Sequence, residues 1–300
     1  MKAAQKFAGF TIALVVVFAL AVWVGRTVGP VGPTGPVNDV AVPQAQELPG
    51  GLQATQDGYT LDLAANRFAA DKNVPLRFRI LDPSGASVTR YVENHDKLLH
   101  LIVVRNDLAD FQHVHPELDA TGTWRVPVNL SRAGDYRVFA DFTADGGPAL
   151  TLGANLHVGG QYDPQPLPAV SASAVVDGYT VTLNGAPKVD ESSMLTMTVS
   201  RDGRPVTDLQ PYLGAYGHLV ALRASDLAYL HVHPMGEPGD GVTPAGPDIG
   251  FHTAFPSAGD YRLFLDFQHQ GVVRTAEFTV SVDGGLTAPA TQPDQTEHSH

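Results

Sequence analysis

The chain repeats itself. Asp57-Gly58-Tyr59-Thr60 returns as Asp177-Gly178-Tyr179-Thr180, 120 residues later. HLIVVR from His100 returns as HLVALR from His218, 118 residues later, and His113-Val114-His115-Pro116 returns as His231-Val232-His233-Pro234 at the same offset. AGDYRVFADF from Ala133 returns as AGDYRLFLDF from Ala258, 125 residues later. Four matches in one order, with offsets that drift only by small insertions, mean two homologous domains. A solenoid would repeat every 20–50 residues or so. The expected domains are 51–158 and 174–283, joined by the linker 159–173.

Within each copy the pattern is all-β. Short alternating runs recur at close spacing in the first copy: YTLDL, PLRFRIL, HLIVV, WRVPVNL, DYRVFADF and LTLGANLHV. Asp-Pro-Ser-Gly, Ala-Gly-Asp and Asp-Gly-Gly separate them as turn signals. About seven strands per repeat predict two tandem immunoglobulin-like or cupredoxin-like β-sandwiches. Period two puts Tyr136, Val138, Ala140 and Phe142 on one face and Arg137, Phe139 and Asp141 on the other. Tyr261, Leu263, Leu265 and Phe267 repeat the first stripe. Tyr136 and Tyr261, each after a glycine turn, fit a tyrosine corner.

Ahead of the repeats, Lys2 and Lys6 precede an apolar run over 7–25, with Arg26 behind it. At about 1.5 Å per residue the run nearly matches a hydrocarbon core of roughly 30 Å. Its length favours one uncleaved transmembrane helix. A signal peptide cleaved after Ala19-Leu20-Ala21, giving a secreted form, is the alternative. The lysines place residues 1–6 in the cytoplasm and the body outside. The expected location is a cell membrane, crossed once, with the lipid bilayer as partner of 7–25. Residues 26–50 read as a Pro/Gly-rich tether and 284–300 as a disordered tail.

The chemistry rests on histidine. There is no cysteine, which removes disulfides, thiolate metal sites and cysteine nucleophiles. Each repeat carries His-x12-His-x-His: His100, His113 and His115, then His218, His231 and His233. Histidines at i and i+2 on a strand point to one face and can share an ion. Whether His100 joins its pair depends on register. With Val104 opposite His113 the three share a face; with Val103 opposite His113 they do not. The sequence leaves both open.

Met235, His252 and His269 occur only in the second repeat and are secondary candidates. Asp141 and Asp266 match each other on the face opposite the tyrosine stripe. A solvated or Arg-paired role is expected for them, with support of a histidine as the alternative. His95 and His157 have no counterparts and read as incidental. No Gly-x-Ser-x-Gly, P-loop or dinucleotide fingerprint is present, so a non-enzyme is expected. A net charge of −12 argues against nucleic acid as partner.

These motifs resemble a family of exported, membrane-anchored bacterial proteins marked by tandem HL-[IV]-x-x-R, HVHP and GDYR-[VL]-F-x-DF elements. The resemblance spans both repeats. More distantly, the domains are similar to small exported CopC-like and YtkA-like copper-handling domains. That resemblance implies a copper context but carries no ligand residue across. Together these readings predict an outward-facing protein that binds a transition-metal ion, copper or else zinc, through the six matched histidines. Sequestration or hand-off, with a metal-transport or envelope protein as partner, is the expected role. The alternatives are an envelope interaction or scaffold protein with structural histidines and, behind it, a metal-dependent oxidoreductase.

Overall fold

The structure is a computed structural model and describes residues 49–189, 191–230 and 232–282. The expected cytoplasmic segment, anchor, most of the tether and the tail lie outside those residues. Every regular element among the described residues is a β-strand, and no helix there is long and apolar enough to cross a membrane.

In the first repeat, the strands Asp71–Leu81 and Thr123–Leu130 alternate between buried and exposed positions from Asn73 to Ile80 and from Trp124 to Leu130. They pair so that Val74 faces Val128, Leu76 faces Val126 and Phe78 faces Trp124. Tyr59–Leu63 flanks them, and together they form the central strands of a five-stranded sheet. The second sheet is centred on Gly134–Ala144, with Ala149–Gly159 on one side, Leu99–Arg105 on the other and Gln112–Val114 beyond. The second repeat has the same plan. Tyr179–Asn184, Ser192–Arg201 and Asp248–Ala254 form one layer; Tyr229–Leu230, Gly217–Arg223, Gly259–His269 and Val272–Val282 form the other. Each repeat is a mainly antiparallel sandwich with its own apolar core; in the first, Arg67–Ala69 adds a parallel edge to Ala149–Gly159.

Both tyrosine corners are present. Tyr136 Oη donates to the Arg132 carbonyl at 2.9 Å and Tyr261 Oη to the Ser257 carbonyl at 2.9 Å; both tyrosines are fully buried. The glycine two residues before each, Gly134 and Gly259, holds φ at 132°. A side chain is strained there, which accounts for the glycine at this point of both repeats.

Leu99–Arg105 does not behave like a half-exposed strand: all seven residues are buried. Leu99, Leu101 and Val103 enter the sandwich core. Ile102 and Val104 point the other way, into a third apolar cluster with Phe139 and, from the second repeat, Val220, Leu222 and Phe264. Phe111 stacks on Phe264 with centroids 3.9 Å apart and planes 4° apart. The outer faces of two equivalent sheets thus cover each other. A strand buried on both faces reads as an almost unbroken apolar run, as HLIVV and HLVAL do.

Candidate metal centre

His100 opens the Leu99–Arg105 strand, and Gln112–Val114 pairs with that strand at its edge. The register is Leu101 to Val114, Ile102 to His113 and Val103 to Gln112. The pair opposite His113 is Ile102, two residues from Val104, so the parity is the one that puts His100, His113 and His115 on one face. The Gln112 side chain fixes the edge strand by exchanging hydrogen bonds with the Asn129 backbone at 2.9 and 2.7 Å.

The three imidazoles converge. His100 Nδ1 lies 3.1 Å from His113 Nε2 and 3.3 Å from His115 Nε2, and one ligand nitrogen from each falls within 4.8 Å of the other two. The outer nitrogens of two rings are already committed. His100 Nε2 donates to the Asn94 carbonyl at 3.0 Å. His113 Nδ1 donates to Asp266 Oδ2 at 2.7 Å, with both side chains 5% exposed. A carbonyl and a carboxylate only accept, so these contacts assign the protons to the outer nitrogens. The inner nitrogens of His100 and His113 then present lone pairs to each other. A shared proton satisfies such a pair, and so does a metal ion. Burial pushes the His100 imidazole down to about 4, against the help of its bond to Asn94. His115 is pushed down to about 3, again mainly by burial and then by His113 and His100.

The Asn94 carbonyl is aimed by a tight turn. Asn94 and Lys97 exchange backbone hydrogen bonds at 2.8 and 3.1 Å around His95 and Asp96, at φ 48° and 58°. Two positive φ values across a two-residue loop make a type I′ turn. The second repeat uses the same device on a different sequence. Tyr212 and Ala215 close around Leu213 and Gly214, at φ 53° and 73°, and His218 Nε2 donates to the Tyr212 and Leu213 carbonyls at 2.9 Å. His218 is 7% exposed and burial lowers it to about 4. Neither turn has a sequence signal shared by both repeats.

The other candidates fall as follows. His218 stands with its ring centroid 6.4 Å from that of His100. His231 and the side chain of His233 lie outside the described residues; the His233 backbone pairs with His252. His252 is exposed on Asp248–Ala254. His269 spends both nitrogens inside its own sandwich, accepting from Tyr179 Oη at 2.7 Å and donating to Asp208 at 3.0 Å. Met235 is 40% exposed, with its sulfur against Gly250. Two expectations need correction. Asp266 is neither solvated nor Arg-paired: it is 3% exposed and holds His113 across the contact between repeats. His95 is not incidental, because its ring lies 5.1 Å from that of His218 and 6.2 Å from that of His100. A cavity of about 30 Å³, room for one small ion or water, is lined by His95, His100, His113, Asp141, His218 and Tyr229 among others.

No curated protein matches the chain. Among solved structures it is similar to the Escherichia coli adhesin FdeC, at 18% identity and TM-score 0.25 over 77% of this chain and 65% of that one. It is also similar to a putative membrane anchored protein from Corynebacterium diphtheriae, at 9% identity and TM-score 0.22 over 76% and 59%. Invasin, a bacterial integrin-binding protein, matches at 14% and 0.22 over 77% and 41%. The chain thus spans less than two thirds of the length of each. The model of DUF8832, a domain of unknown function, matches twice, at residues 54–159 and 174–284. The two sandwiches are therefore two copies of one domain, and the chain belongs to the DUF8832 family.

Proposed function

We propose that this protein binds a transition-metal ion through His100, His113 and His115, as an outward-facing, membrane-anchored chain that sequesters the ion or hands it on. One observation carries the reading: three imidazole nitrogens converge while the far nitrogens of His100 and His113 are held by fixed acceptors. An ion at about 2.0–2.1 Å from tetrahedral imidazole ligands separates their nitrogens by about 3.3 Å. The two short separations, 3.1 and 3.3 Å, are already close to that value. Three neutral nitrogen donors leave a fourth position open, as hand-off requires. Copper is the preferred ion on the resemblance to CopC-like domains, with zinc, which the tetrahedral spacing also suits, as the alternative. The lysines and apolar run before residue 26 support the anchored, outward orientation.

Titration of the purified full chain with Cu²⁺ and with Zn²⁺ at pH 7, with elemental analysis, tests this. Uptake is expected, and binding should weaken as pH falls towards about 4, where the His100 imidazole takes up a proton in the fold. His115 is only partly buried, so His115→Ala should weaken binding at least tenfold and leave the metal-free fold intact. A chain that takes up neither ion, or a variant that loses stability but no affinity, returns the histidines to a structural role.

A further inference from the structure

We infer that the metal centre belongs to neither repeat alone: Asp266 of the second repeat is the positioning residue for His113 of the first. The inference rests on the metal reading above. Asp266 sits on Gly259–His269 directly opposite His218, on the face turned away from its own sandwich core. From there it crosses the contact between repeats and accepts from His113 Nδ1 at 2.7 Å, a partner 153 residues away in sequence. Its other oxygen accepts from Thr275 Oγ1 at 2.6 Å. Both oxygens are thus committed and the carboxylate cannot swing aside.

No Lys or Arg among the described residues lies within 4 Å of Asp266. A buried carboxylate without a cation is costly, and hydrogen bonds alone offset only part of that cost. A cation on the far side of the His113 ring completes it, in a carboxylate–imidazole–metal line. Such a carboxylate fixes the tautomer, holds the ring and raises the basicity of the ligating nitrogen. The first repeat's equivalent residue, Asp141, also crosses the contact. It lies opposite His100 and accepts from Tyr229 Oη of the second repeat at 3.5 Å. Because the ligands and the residue that orients them come from different repeats, ion binding and the packing of the repeats are one linked equilibrium.

The test is Asp266→Asn in the full chain, which keeps the shape and removes the charge. Asp135→Asn is the control, since Asp135 holds His157 Nδ1 at 2.7 Å on the surface. Affinity is read by chelator competition with Zn²⁺, and the ligand field by the visible bands of bound Co²⁺. Asp266→Asn should bind about 10–100-fold more weakly with shifted Co²⁺ bands, while Asp135→Asn matches the parent. Thr275→Val, which keeps the charge but frees one oxygen, should give a smaller loss and decides the matter if Asp266→Asn does not fold. Parent-like affinity and bands in Asp266→Asn, or in Thr275→Val where that variant decides, overturn the inference and leave the metal reading standing. A parent chain that binds no ion overturns both.

Discussion

Phe264→Ala is the sharpest test of how the repeats meet. Phe264 is fully buried, stacks on Phe111 at 3.9 Å and carries the Arg262 guanidinium 5.2 Å from its ring centroid. It lies in the cluster between the repeats and in neither sandwich core. Truncating a buried Phe to Ala costs about 3–5 kcal/mol, of which an aromatic pair supplies about 0.5–1.5. For a folded body of this size, about 2–4 °C per kcal/mol gives a drop in Tm of about 6–20 °C. The loss should fall on the contact, so calorimetry of the metal-free chain should show one transition splitting towards two. Phe267→Ala, inside the second repeat's core, should instead unfold that sandwich. A loss below about 1 kcal/mol for Phe264→Ala, the cost expected at a loosely packed site, would refute the packing described.

Acid should destabilise the metal-free protein. His100 and His115 titrate near 4 and 3 in the fold, held there mainly by burial, against about 6.5 in the unfolded chain. Between those values the unfolded state binds more protons, so stability falls as pH drops from about 6.5 towards 4. His100 alone contributes roughly 3 kcal/mol over that window, and denaturant midpoints that are equal at pH 7 and pH 4.5 would contradict it. Tyr136→Phe and Tyr261→Phe should each cost about 0.5–1.5 kcal/mol by urea unfolding; no loss would mean that the corners contribute nothing. Gly153→Ala would set a Cβ 1.9 Å from the Gly51 carbonyl, which also accepts from Arg137. It should cost about 1–3 kcal/mol by the same assay, and a neutral result would show that the Gly50–Gly51 segment gives way freely.

The sequence by itself determined the duplication, the all-β plan, the tyrosine corners and the six matched histidines. These follow from local signals: period-two alternation, turn residues and direct self-comparison. It also placed Arg137, Phe139 and Asp141 on the outer face correctly. What covers that face was decided only by tertiary structure, because alternation separates two faces and says nothing of what packs on each. The unbroken run HLIVV was the one local hint. The register that unites His100 with His113 and His115 was likewise open, since either parity keeps the same alternation within each strand. The roles of Asp266 and His95 were beyond reach for the same reason: each depends on a residue more than a hundred positions away, brought near by two sheets packing face to face.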